Sequence, residues 1–231
     1  MNGEATMART LTVIVIGLLA LVSPPSITDG RATGHETISR FLQSDQPALT
    51  SYRARRHLEA STRGGAMQAS LDAWTTLSTD GSFAFEIIQE SGSDVIRGHV
   101  LRAALIEEQR ARLANELDGA ALTPANYELR VGGAIGDLVR IDLTPKRRSP
   151  MLIVGAAFVT ADEDDLVRVE GALAKRPSFW TRHVEIARRY ARVGGVRVPV
   201  DMRSTADVMM VGASSFSMSY EYAMINGTDV P

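Results

Sequence analysis

The side chains best suited to chemistry in this chain are four histidines, an acidic run, a glycine-rich run and many serines. His35, His57, His99 and His183 show no spacing that would bring two imidazoles onto one metal, and none falls in an H-E-x-x-H pattern. Asp162-Glu163-Asp164-Asp165 places its carboxylates consecutively. A calcium loop instead staggers its oxygens around a glycine and adds a distal bidentate carboxylate, so a solvated tight turn is expected here. Gly132-Gly133-Ala134-Ile135-Gly136 opens no helix and reads as a loop between two strands. There is no G-x-S-x-G, phosphate-binding loop or dinucleotide fingerprint, and no serine in a nucleophile context. An active site needs at least two convergent titratable groups, and no such pair is visible. The chain reads as a non-enzyme with no catalytic residue, no metal and no cofactor.

Arg56 and Arg188 are less ordinary. By alternation Arg56 falls between Ala54 and Leu58, and Arg188 between Ile186 and Tyr190, so both lie on apolar faces. An arginine so placed either pairs with a carboxylate or carries its head to the sheet edge. The functional alternative is a polar anchor within an apolar pocket.

The elements that would position these residues follow from hydrophobic period. In residues 52–60, Tyr52, Ala54, Leu58 and Ala60 share one face and Arg53, Arg55, His57 and Glu59 the other, the pattern of a half-buried strand. Gly64-Gly65 marks a hairpin, and strands at 67–77 and 82–90 complete a meander. Further strands are expected at 127–131, 138–143, 151–159, 166–173, 179–191, 196–202 and 215–224, with 151–159 covered on both faces. Apolar residues at spacings of three and four predict a short helix over 34–46 and a long one over 93–117 with Arg and Glu on its outer side. Residues 226–231 read as a frayed tail. The expected class is α+β: a curved antiparallel half-barrel of about ten strands with covering helices.

The formal charge of −2 argues against nucleic acid. Residues 11–22, LTVIVIGLLALV, follow Arg9 and precede Pro24-Pro25. Spanning a bilayer takes about 20 apolar residues and a signal-peptide core about 7–15, so residues 1–30 read as a signal peptide, an uncleaved anchor being the alternative. With no cysteine, the chain can carry neither a disulfide nor lipid on an N-terminal cysteine. The expectation is a non-lipidated periplasmic monomer with a single domain over 31–231.

One stretch is recognisable. Thr144-Pro145-Lys146-Arg147, then Val167-Arg168-Val169-Glu170-Gly171, then Lys175-Arg176-Pro177-Ser178-Phe179-Trp180, and finally Gly194-Gly195-Val196-Arg197-Val198-Pro199 resemble the outer-membrane lipoprotein-sorting (LolA-like) group. The resemblance covers about residues 137 to 224. It implies a half-open antiparallel barrel lidded by helices, and a lipid or lipoprotein acyl chain as partner. Candidate ligand residues are Met67, Leu71, Phe85 and Ile87 in the first meander, with Leu101 on the long helix. Val198, Met202, Phe216, Met218 and Tyr220 supply the rest of the apolar face, with Arg56 and Arg188 as polar anchors. The alternative is an envelope sensor or protein-interaction module with a filled core.

Overall fold

The computed structural model describes residues 34–43, 47–178, 181–209 and 212–231. The segment read as a signal peptide lies outside these residues, as do Phe179 and Trp180. Among the described residues, the alternating segments form eleven strands of one antiparallel sheet. They are β1 (Tyr52–Thr62), β2 (Met67–Leu77), β3 (Phe83–Gly92), β4 (Tyr127–Ile135), β5 (Leu138–Pro145) and β6 (Ile153–Thr160). β7 (Leu166–Leu173), β8 (Thr181–Val193), β9 (Val196–Val208), β10 (Gly212–Ile225) and β11 (Thr228–Asp229) follow. The order is β3-β2-β1-β10-β9-β8-β7-β6-β5-β4, with β11 beside β10. Chain neighbours pair throughout each half, and the long-range pairing of β1 with β10 joins the two meanders.

β3 and β4 end the sheet and do not pair with each other, so the sheet is open. Phe83 at one end and Tyr127 at the other nevertheless belong to one apolar core, which requires the sheet to curl around it. Glycine lets β6 and β7 approach closely at one point. Gly155 and Gly171 face each other, Gly171 has a φ of +149°, and a Cβ on Gly155 would stand 2.0 Å from the Glu170 carbonyl oxygen.

Among the described residues, two helical pieces close the core. Helix α1 (Gly34–Gln43) buries Phe41 and Leu42. The long helical run begins as α2 (Asp94–Ile96), continues as a π-helical turn (Arg97–Arg102) and ends as α3 (Ala103–Leu113). Asn115 takes a left-handed conformation that stops the helix, and a 3-10 turn (Glu116–Ala120) follows. The regular period expected over 93–117 is therefore interrupted twice. The π turn adds a residue and shifts the apolar stripe between the two sides of the run; Val95 before it is 53% exposed and Leu113 after it 75%. Nor is every Glu on the outer side: Glu108 is buried with Ala104, Leu105 and Ala111.

Other expectations need correction. Gly132–Ile135 is not a loop but the end of β4, carried past a bulge at Val131/Gly133; the turn itself is at Gly136-Asp137. Residues 226–231 are not frayed, because Asn226 fastens them. Its Oδ1 accepts from the Thr50 and Ser51 backbone N–H groups at 2.8 and 3.1 Å, and its Nδ2 donates to the Ala48 carbonyl at 2.8 Å. The acidic turn is only partly solvated. Asp164 is buried and accepts from Arg40 Nε of α1 at 2.5 Å, while Asp165 receives Arg192 Nε at 2.8 Å. β6 is buried on both faces only from Ala156 to Val159, where the Arg168 guanidinium lies 4.2 Å from the centre of the Phe158 ring; Val154 is exposed.

Candidate functional site

Strand alternation sends every second residue of β1, β2, β8, β9 and β10 inward, and register aligns these residues into rows. Arg188 stands opposite Met202, Met202 opposite Met218, Met218 opposite Leu58, and Leu58 opposite Leu71. One step along, Arg56 is opposite Tyr220, and Phe216 stands between Ala60 and Ser204. Leu71, Leu101, Val198, Met202, Phe216, Met218 and Tyr220 are buried, and Met67, Phe85 and Ile87 are partly buried against the same core. The structure thus brings the apolar candidates onto one continuous inward face, with Leu101 contributed by the helical run.

Arg56 and Arg188 are both fully buried within this face. Arg56 has a carboxylate. Its Nη1 donates to Glu108 Oε2 at 2.6 Å and its Nη2 to Glu108 Oε1 at 3.2 Å. Nη2 also donates to the Tyr52 hydroxyl. Arg112 adds a bond to Glu108 Oε1 at 3.2 Å. Aromatic faces surround the guanidinium, with Tyr220 at 4.7 Å and Phe83 at 5.1 Å from ring centre to Cζ. Burial opposes the Arg56 charge, but Glu108 and the neighbouring tyrosines more than offset it and hold its pKa above the ordinary arginine value. Burial likewise pushes Glu108 up, yet Arg56 and Arg112 hold it below the usual carboxylate value. Burial raises the Tyr52 phenol to about 12, so it remains a neutral partner.

Arg188 has no such partner. Its Nη2 approaches Met202 Sδ at 3.2 Å, and Nε and Nη1 make no hydrogen bond among the described residues. The Tyr220 hydroxyl is likewise buried and unpaired.

The outer face carries a polar groove of about 860 Å³. His57 sits in it with Nδ1 3.0 Å from Asp72 Oδ1 and Nε2 3.3 Å from Glu59 Oε1. Partial burial lowers the ring's affinity for a proton, but the two carboxylates outweigh it and raise the pKa. An imidazole so engaged favours the imidazolium form, which is poor ground for a general base.

Sequence reading missed Glu108 and the His57–Asp72 contact. Glu108 was within reach, since it continues the spacing of Leu101, Ala104 and Leu105 by three and four. The Asp72 contact depends on the pairing of His57 with Asp72 across β1 and β2, which alternation within each strand does not specify.

Among the described residues, no group of His, Cys, Asp and Glu is arranged to hold a metal, and no helix is long and apolar enough to cross a membrane. No family model matches the sequence, and no curated protein matches it. The structure is similar to the crystal structure of the LolA superfamily protein NE2245 from Nitrosomonas europaea, with a TM-score of 0.43 and 12% identity over 87% of this chain and 96% of that one. A likeness at that level leaves ligand and role to be argued from the residues themselves.

Proposed function

We propose that this protein is a periplasmic binding or carrier protein for a lipid or lipoprotein acyl chain, formed as one domain over residues 31–231 and working as a monomer behind the signal segment at 1–30. The observation that carries this reading is how the helical run closes the apolar face. Where α3 meets the sheet it buries Ala104, Leu105, Glu108 and Ala111, mostly small or charged side chains. Its hold is a polar latch, Arg56–Glu108, and not a broad apolar stripe. Lifting it exposes modest apolar area, at about 25 cal/mol per Å², and the π turn at 97–102 supplies a place to bend. The core that the helical run helps to cover includes Leu58, Leu71, Met202 and Met218, whose methionines adapt to irregular apolar shapes.

Native mass spectrometry of the protein purified from its own envelope tests this. A bound species of lipid mass is expected, released when the protein unfolds. Protein that carries no lipid, and that takes up no N-phenyl-1-naphthylamine, overturns the reading.

One observation favours a second reading. The inward residues are packed against each other, while the roomy groove lies on the polar outer face between His57, Ser61, Ser70, Thr205 and Ser217. A sensor or interaction module would use that groove and keep its core filled. Ser217→Arg would then abolish cross-linking to an envelope partner and leave any lipid binding intact.

A further inference from the structure

Arg188 is a fully buried cation without an anion. A guanidinium does not give up its proton in a protein. A buried charge left without a counter-ion is strongly destabilising. The only contact that Arg188 makes through a donor among the described residues is with Met202 Sδ, a weak acceptor, leaving Nε and Nη1 without partners. The two buried carboxylates among the described residues are already engaged, Glu108 by Arg56 and Arg112 and Asp164 by Arg40. On the same inward face, two strands away, the hydroxyl of Tyr220, a residue 7% exposed, also has no partner among the described residues. β8 and β10 are separated by β9, so the two backbones lie about 10 Å apart, a span suited to a small group held between two long side chains. Buried polar groups in folded proteins are nearly always satisfied. Three unsatisfied donors, carried by two side chains of one apolar face, describe the complement of an anion.

We propose that Arg188 and Tyr220 form the receptor for the anionic head of a single-chain lipid, a carboxylate or a phosphate accepting from the free Arg188 donors and from the Tyr220 hydroxyl. The tail would lie along Met202, Met218 and Leu58, the apolar row that leads away from Arg188. The assignment rests on the lipid-binding reading above and gives that ligand a charge.

The test is isothermal titration of the full mature chain with decanoate, decyl phosphate, decanol and inorganic phosphate. Wild-type protein is expected to bind one of the two anionic amphiphiles at least tenfold more tightly than decanol, and the stronger of the two identifies the head group. Arg188→Met brings that affinity down to the decanol level and leaves decanol binding within about threefold. Tyr220→Phe gives a partial loss. Arg188→Lys keeps the charge but not the planar donors and binds the preferred anion more weakly than wild type does but more tightly than decanol, a readout independent of the Met variant. Equal binding of decanol and both anions by wild type overturns the receptor and leaves the lipid reading in place. Inorganic phosphate bound as tightly as decyl phosphate overturns the lipid head in favour of a free-anion site. No binding of any of the four overturns both proposals.

Discussion

Arg56 and Arg188 occupy comparable places. Each is fully buried on the inward face of the same sheet, and each has a methionine sulfur within reach, Met218 for one and Met202 for the other. They differ in what lies across from them. The helical run covers the β1–β3 side and lowers Glu108 onto Arg56, while nothing among the described residues offers Arg188 a carboxylate. A sheet face alone cannot neutralise an inward arginine, because its inward neighbours are apolar; the counter-ion must come from another layer or from a ligand. One arginine therefore acts as a fastening between layers, and the other is left as a demand for an anion.

The largest expected effect comes from breaking the satisfied pair. Glu108→Ala leaves Arg56 buried and uncompensated, and urea unfolding is expected to show a loss of about 3–5 kcal/mol. The pair also has a pH signature. Because Glu108 titrates below its ordinary value of 4.5 in the folded state, its stabilisation is present above that pH and is lost as pH falls through the lower folded value. Glu108→Ala should flatten that part of the acid unfolding curve. An unchanged curve would mean that the latch contributes little.

Arg188 should respond with the opposite sign. Arg188→Met removes a charge with no partner and is expected to stabilise the ligand-free protein by about 1 kcal/mol or more. Arg56→Met, by contrast, strands Glu108 with Arg112 alone and is expected to destabilise. Two variants that lose stability equally would show that the two arginines are equivalent and would dissolve the comparison.

The smallest effect belongs to the outer face and calibrates the inner one. His57 is 44% exposed beside Asp72 and Glu59, so its contribution is screened and worth about 0.2–1 kcal/mol. Its folded pKa is raised above 6.5, so the contribution is full below pH 6.5 and disappears as pH rises through the higher folded value. His57→Gln should match wild type in alkaline buffer and fall slightly below it in mildly acidic buffer, with the gap closing in high salt.

Much of the architecture is legible because it is local. The alternation of Tyr52, Ala54, Leu58 and Ala60 is enough to place β1 and its buried face, and similar patterns locate the other main strands. The short β11 is local too, since Asn226-Gly227, both at positive φ, is a two-residue hairpin turn that pairs it with the end of β10; what alternation does not show is the hold of Asn226 on residues 48–51 across most of the chain. The bulge that extends β4 through Gly132 and Gly133 was hidden for a related reason, since glycine reads as a loop until a partner strand claims it.

The candidate site divides along the same line. Alternation alone determines that Arg56 and Arg188 face inward among apolar residues, because side-chain direction in a strand depends only on parity. Whether an inward arginine is paired depends on which helix residue arrives above it. That was decided by the packing of α3 on the β1–β3 side, with a π turn setting its rotation, and neither is written in the strand that carries the charge. The sequence by itself determined where the two charges sit; only the tertiary structure decided that Glu108 would answer one of them and leave the other open.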